Sequence, residues 1–272
     1  MGILFNPKSI ANSLDRIVNR IEFVDTDLDF HNGLYHSFHH HGRFSSPNKT
    51  EMLEAVNSSL ISAHDRLRNT DCLFITFGTA NVYEHIEKDM VVANCHKFPS
   101  SDFKHYRLSI EDIVAEYTLL IKQLLEINPN LKIAFTVSPV RHLKDGAHEN
   151  QLSKATLLLA IERLTQDFEQ AFYFPAFELV LDDLRDYRFY NSDMVHPNSL
   201  AIDYVWEHLK NFMFSKDAFQ FEKEMLNFHR LVSHRVLHLE SATHQLHIAK
   251  IKNEQQRFAK IYPFVDFDEE KP

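Results

Sequence analysis

The sequence predicts an α/β protein, a three-layer α/β/α sandwich on a parallel sheet that is followed by a helical extension. Two short apolar runs, 71–77 and 131–139, indicate buried strands because they are apolar without alternation and end at glycine or proline. Helical segments alternate with these runs, which is typical of parallel strands joined by crossover helices. Only helical spacing occurs after about residue 214, so we expect a domain at 1–214 and a helical extension with an acidic tail at 215–272.

Each element follows from its local pattern. Apolar residues with helical spacing predict helices over 7–21, 48–70, 109–129, 150–170 and 196–214. Ser109 followed by Asp112 resembles a capping box, and Pro197 suits the first turn of the last of these helices. Residues 171–184 indicate a short strand leading into a helix. The histidine-rich segments 22–47 and 78–108 have no clear period and are expected to be irregular loops.

The composition narrows the class of partner. The chain has 272 residues and a net charge of −9 with neutral histidines, which argues against nucleic acid or an anionic membrane as a partner. No apolar run approaches membrane-spanning length. Two cysteines make no disulfide framework, and the N-terminus has no signal-peptide pattern, so we expect a cytoplasmic protein.

An acid and a histidine three residues apart, Asp193 and His196, form the first candidate catalytic pair. The carboxylate can accept from one imidazole nitrogen and leave the other free as a general base. The alternative is structural, with Asp193 or Asn191 capping the helix that begins near Pro197. Taken alone, this spacing favours the helix cap.

A second candidate follows the strand at 71–77, where Gly78 precedes Asn81 by three residues. The carboxamide of Asn81 could stabilise an oxyanion, and the alternative is a glycine turn followed by an asparagine cap. Both candidates fall at the carboxyl ends of strands, where open parallel sheets place their sites. Arg141 follows the strand at 131–138, and we expect both Gly78 and Arg141 to contact the substrate.

The histidine-rich loops suggest a rival kind of site. Histidine and cysteine are common metal ligands, and the residues of these loops that could bind a metal are His36, His39, His40, His41, Cys95 and His96. Their spacing matches no standard zinc motif, so we expect neither metal nor cofactor and place His40 and His41 at the rim of a substrate cleft. A metal-dependent enzyme built on these loops remains an alternative.

Taken together, Gly-x-x-Asn and Asp-x-x-His resemble two sequence blocks of the SGNH (GDSL-like) hydrolases, whose sheet is flavodoxin-like. The chain is most similar to the bacterial GSCFA family of that group. Several stretches carry the resemblance in order, namely "GILFNPKSIANSL" (2–14), "NGLYHSFHHHGRFS" (32–45), "FITFGTANVYE" (74–84), "VVANCHKFP" (91–99), "TVSPVRHLKDG" (136–146), "ENQLSKATLLLA" (149–160) and "YFPAFELVLDDLRDYRFYNSDMVHPNSLAIDYVWE" (173–207).

The resemblance implies a serine ester hydrolase or acyltransferase that acts on a small-molecule or carbohydrate ester. His196 would be the base and Asp193 would orient it. Asn81 would stabilise the oxyanion, and Gly2 looks like the glycine whose backbone N–H is a second donor. These roles come from the family and not from the spacing.

The chain departs from the family at the motif that gives the family its name. None of its five glycines is followed by serine, so the Gly-Ser-Cys-Phe-Ala stretch with the nucleophile is absent. We expect that the first strand is missing through truncation and that the chain as given is nearly inactive. A non-catalytic module that binds a carbohydrate or acyl ligand is a further alternative. The C-terminal helices either cover the sheet or form a homodimer contact.

Overall fold

The computed structural model describes residues 2–233, 242–265 and 267. The chain divides into two compact units, Met1–Val205 and Trp206–Pro272. The first unit contains a parallel sheet of three strands together with helices, so the predicted α/β class is confirmed.

Helices and strands follow one another through both units. In chain order they are α1 (Pro7–Val18), β1 (Asp29–His31), β2 (Leu34–His36), α2 (Lys49–Leu67), β3 (Cys72–Phe77), β4 (Asn81–His85), β5 (Met90–Val92), β6 (Phe103–Arg107), α3 (Ile110–Ile127), β7 (Lys132–Val137), α4 (Ala147–Asp167), β8 (Ala171–Tyr173), α5 (Ala176–Glu178, continued by a π-helical turn at Leu179–Asp183), α6 (Ser199–Met213), α7 (Lys216–Val232) and α8 (Ala242–Ile261).

The predicted helix starts coincide with side-chain caps. Asn6 accepts from the N–H of Ser9 at the start of α1, and Asn48 accepts from the N–H of Thr50 at the start of α2. Ser109 accepts from the N–H of Asp112 at the start of α3. Each cap satisfies a backbone donor that the first helical turn leaves without a partner.

The parallel sheet has the strand order β3–β7–β8. One face of β3 and β7, which includes Phe77 and Phe135, is buried in a core with side chains from α1, α3 and α4. Ala134 on the other face of β7 is buried as well, as expected of a central parallel strand. β3 lies at an edge of the described sheet, and Phe74 on its second face is 48% exposed.

The two segments expected to be irregular loops contain short strands, so that prediction was wrong. β1 and β2 form an antiparallel hairpin, and β4 pairs with both β5 and β6 in an antiparallel sheet. These strands have three to five residues, too few to show a period of two. Histidine also replaces aliphatic residues at inward positions, as where the His85 ring lies 5.0 Å from that of Phe38.

The second unit is helical in the part that the structure describes. Phe228 of α7 and Phe258 of α8 are buried, with ring centroids 5.5 Å apart.

Most of the expected acidic tail, residues 266 and 268–272, lies outside the described residues. The domain boundary at 214 and the homodimer contact stay predictions. Among the helices of the described ranges, none is both long and apolar enough to cross a membrane.

Candidate active site

Asp193 and His196 form a hydrogen-bonded pair, with 2.7 Å between Oδ2 of Asp193 and Nδ1 of His196. The other carboxylate oxygen accepts from the backbone N–H of Val195 at 2.8 Å and of His196 at 2.9 Å. These backbone donors, and then the His196 side chain, lower the pKa of Asp193 to about 2. The carboxylate is therefore ionised at neutral pH and can only accept. Nδ1 of His196 must then carry a proton, so in the neutral form of the ring Nε2 is the nitrogen that can accept one.

The pair lies in a loop of residues 190–197, called the Asp–His loop below, which backbone hydrogen bonds close. The N–H of Asn191 donates to the carbonyl oxygen of His196 at 2.8 Å, and Tyr190 pairs with Pro197 as an isolated bridge. Met194 takes a positive φ of 60°, which turns the chain back so that Asp193 faces His196. The His196 side chain is 59% exposed, and no residue within the described ranges hydrogen-bonds to its Nε2.

Neither Asp193 nor Asn191 caps the following helix. α6 begins at Ser199 and not at Pro197, and the side chain of Asn198 accepts from the N–H of Ala201 at 3.2 Å. The expectation that Pro197 lies in the first turn was therefore wrong, because its bridge to Tyr190 keeps it in the loop. The structural alternative for the Asp–His pair loses its main support.

Gly78 and Asn81 lie directly after β3. The N–H groups of Gly78 and Thr79 both donate to the carbonyl oxygen of Phe5, at 2.7 and 3.1 Å. A Cβ at Gly78 would come within 2.9 Å of that oxygen, so the glycine permits the close approach. Asn81 opens β4 and is not a helix cap, and its Nδ2 donates to Oδ2 of Asp145 at 3.3 Å.

Two residues of α4, Ser153 and Lys154, hold the loop after β3 in place. The buried ammonium of Lys154 donates to the carbonyl oxygens of Gly78 and of Ser138, so it joins the ends of β3 and β7. The Ser153 hydroxyl accepts from the N–H of Ala80 at 2.7 Å. Burial lowers the pKa of Lys154 to about 8.

Sequence reasoning missed this buried pair. A signal for it exists, since Asn150, Ser153 and Lys154 share the helical face of Leu157, which points into the core. Polar residues on an apolar stripe indicate buried partners.

His142 lies between the two candidate motifs and was also missed. Its backbone N–H donates to Oδ1 of Asn150 at 2.9 Å, and its ring packs edge-on against Phe5. The pKa of His142 is lowered, mainly by burial and next by the charge of Lys154. Asp145 opposes this by raising the pKa, and His196 adds a smaller lowering. A Cβ on Gly78 would lie 3.5 Å from Nε2 of His142, and the preceding residue, Arg141, contacts the carbonyl oxygen of Met194, so this segment links the loop after β3 to the Asp–His loop.

Arg141 contacts the Asp–His loop through the carbonyl oxygen of Met194. Its Nη1 lies 3.5 Å from the carbonyl oxygen of Met194 and 3.4 Å from the hydroxyl of Tyr187. Its Nη2 lies 3.3 Å from the hydroxyl of Tyr190, and its guanidinium carbon lies 4.8 Å from the centre of that ring. Arg141, which the sequence predicts to contact the substrate, therefore lies beside the Asp193–His196 pair.

Gly2, His40 and His41 group together in the N-terminal loops. A Cβ on Gly2, whose φ is 85°, would approach Cβ of His41 to 2.7 Å. His40 has no exposed surface, its ring lies 4.6 Å from that of Phe23, and burial lowers its pKa to about 3. Within the described residues, no hydrogen bond joins these three to Asn81 or His196.

The histidine-rich loops bring imidazoles together without a metal-binding arrangement. The rings of His36 and His96 lie 4.7 Å apart, but Nε2 of His96 bonds to the carbonyl oxygen of Ser37 and Nδ1 of His36 to the hydroxyl of Ser45. In the ranges that the structure describes, no group of three His, Cys, Asp or Glu residues could hold a metal ion.

The fold and this site define an α/β protein with an exposed aspartate–histidine pair beside the end of its parallel sheet. The model of the GSCFA family matches residues 1–209, and the chain belongs to that family. The predicted resemblance to the GSCFA family is thereby confirmed. No curated protein and no solved structure matches the chain.

Proposed function

We propose that the chain provides the base, its orienting carboxylate and an oxyanion donor of an SGNH-type serine ester hydrolase or acyltransferase. The observation that carries this proposal is the pair of His196 and Asp193, in which an ionised carboxylate lies 2.7 Å from Nδ1 of a side chain that is 59% exposed. Membership of the GSCFA family supports it.

In the proposed reaction, Nε2 of His196 takes the proton of a serine hydroxyl as the serine oxygen bonds to the acyl carbon. The imidazolium then gives that proton to the departing alcohol as the ester C–O bond breaks. Water or a second alcohol attacks the acyl-enzyme by the same route. Asn81 would donate to the oxyanion once Nδ2 leaves Asp145, an exchange favoured by the long 3.3 Å contact. Gly2 remains the predicted second donor.

The family's Gly-Ser motif does not occur in these 272 residues, since no glycine here is followed by serine. We propose that a strand ending in the family's Gly-Ser-Cys-Phe-Ala turn pairs with the edge of β3 that no described strand occupies and completes the SGNH sheet. The edge position of β3 and the exposed Phe74 support this arrangement, since unpaired edges and exposed apolar faces favour strand addition.

Hydrolysis of p-nitrophenyl acetate tests the proposal. We expect background rates from the 272-residue chain and clear turnover from the same chain preceded by a strand and Gly-Ser-Cys-Phe-Ala turn from a family member. The H196A variant of the extended chain controls for reaction with surface nucleophiles and should return to background.

The other outcomes favour the alternatives. Activity in neither form, with both forms folded, contradicts the hydrolase and favours a non-catalytic module for a carbohydrate or acyl ligand. Activity that a chelator abolishes favours the metal-dependent enzyme. Turnover that survives in H196A would show that the base has been assigned wrongly.

A further inference from the structure

Beside the Asp–His loop lies a cavity of about 300 Å³, lined by Arg141, Tyr187, Tyr190, Leu184, Arg185 and Asp186. Its volume is at the lower end of those of small-molecule sites. Val180 and Leu181 of the π-helical turn after α5 also line it, and the other lining residues come from the loop after β7 and from the segment between that turn and the Asp–His loop. It is therefore separate from the loop that follows β3.

The guanidinium of Arg141 has only weak neutral partners. Its three contacts, to the hydroxyls of Tyr187 and Tyr190 and to the carbonyl oxygen of Met194, range from 3.3 to 3.5 Å. Hydrogen bonds of an arginine to a carboxylate are ordinarily much shorter. No carboxylate in the described part of the chain forms an ion pair with Arg141.

The other charged groups of the cavity are already paired. Arg185 donates to Oδ1 of Asp182 at 3.2 Å, and Asp186 lies 3.5 Å from Nε of Arg188. Among the charged side chains that line the cavity, Arg141 is therefore the one without an oppositely charged partner among the described residues. Its plane is positioned by the rings of Tyr187 and Tyr190, whose centres lie 5.5 and 4.8 Å from the guanidinium carbon.

We infer that Arg141 binds an oxyanion, a carboxylate or a phosphate, carried by the ligand at this site. A planar guanidinium held by two aromatic rings presents two parallel donors to such a group. Because Arg141 also contacts the carbonyl of Met194, between Asp193 and His196, the bound anion would lie one loop away from the catalytic pair. The substrate of the proposed reaction is then an anionic ester, and this last step rests on the proposed function.

Calorimetric titration of the 272-residue chain tests anion binding without turnover. The probes are succinate, inorganic phosphate and the neutral succinamide. We expect millimolar binding of succinate or phosphate and none of succinamide. R141M should weaken binding about tenfold or more, which corresponds to about 1.4 kcal/mol. R141K keeps the charge without the planar pair of donors and should weaken it less.

The matched control is R163M, which removes an exposed arginine of α4 that lies 3.7 Å from Glu111. It changes the net charge equally and should leave binding unchanged. If R141M does not fold, R141K carries the comparison. Binding of neither anion, equal binding of succinate and succinamide, or equal losses in R141 and R163 variants would overturn the inference. Anion binding without hydrolysis in the extended chain would contradict the proposed hydrolase and leave the anion site standing.

Discussion

Nδ1 of His196 lies 2.7 Å from Oδ2 of Asp193, while the second oxygen of the same carboxylate accepts two backbone N–H groups of the loop. One carboxylate therefore both closes the loop and orients the imidazole. Since those donors lower the pKa of Asp193 to about 2, the arrangement persists throughout the neutral range.

The first prediction concerns the imidazole tautomer. In D193N the carboxamide oxygen can still accept from the backbone, but its NH₂ group then faces Nδ1 of His196. We expect the proton of the neutral ring to move from Nδ1 to Nε2, which would disable the base. Long-range ¹⁵N–¹H correlation spectra report the protonated nitrogen directly. A His196 ring that keeps its proton on Nδ1 in D193N would contradict this account. The control is D203N, at an exposed position of α6.

A second prediction concerns Lys154. In K154M the carbonyl oxygens of Gly78 and Ser138 lose their hydrogen-bond donor. Each loss lowers the free energy of unfolding by about 1–3 kcal/mol. The burial penalty that lowers the pKa of Lys154 to about 8 is relieved, a gain of about 3 kcal/mol. Because these effects oppose each other, we expect little change in global stability and faster local opening at the ends of β3 and β7.

Amide hydrogen exchange measures that opening. Protection of the N–H groups of Gly78 and Ser138 should fall about tenfold in K154M, while that of Ile133, near the opposite end of β7, is kept. K122M, at an exposed position of α3, is the matched control. Unchanged protection at both strand ends would show that the ammonium does not hold them.

A third prediction concerns Gly78. A Cβ there meets the backbone oxygen of Phe5 at 2.9 Å, so G78A must displace a segment whose oxygen accepts two N–H groups. We expect a loss of roughly 1–3 kcal/mol in urea unfolding. G42A is the control, since its Cβ would meet its nearest neighbour at 4.0 Å. Equal stability of the two variants would contradict the close approach.

The fourth prediction is acid destabilisation by the buried His40 and the partly buried His39. Burial lowers the pKa of His39 to about 4 and of His40 to about 3, below the ordinary 6.5. As pH falls below 6.5 the unfolded chain takes up protons that the folded chain refuses, so stability is lost on acidification. Each histidine contributes about 1.4 kcal/mol per pH unit down to its folded pKa.

Urea unfolding between pH 7 and pH 4.5 checks this dependence. H40L should flatten the slope by about 1.4 kcal/mol per pH unit, the share of one histidine. H148L, at an exposed position of α4, should keep the parent slope. A parent protein whose stability does not change over this range would contradict the burial of both imidazoles.

The regular elements were predictable because their causes are local. The starts of α1, α2 and α3 follow from capping side chains within three residues of the donors that they satisfy, and β3 and β7 from short apolar runs between turn residues. The antiparallel sheet with the strand order β5–β4–β6 was not predictable. Each of its strands is too short to show a period and depends on partners elsewhere in the chain.

For the site, the sequence by itself determined the residue types and the family, including Asp193, His196 and Asn81 at motif positions. Tertiary structure decided what the motifs do not encode. It buried His40 beside the ring of Phe23 and brought Lys154 and His142 to the loop after β3. These outcomes depend on contacts between residues far apart in the chain. Burial, and with it the charge of an imidazole or an ammonium, is set by those contacts and not by neighbouring residues.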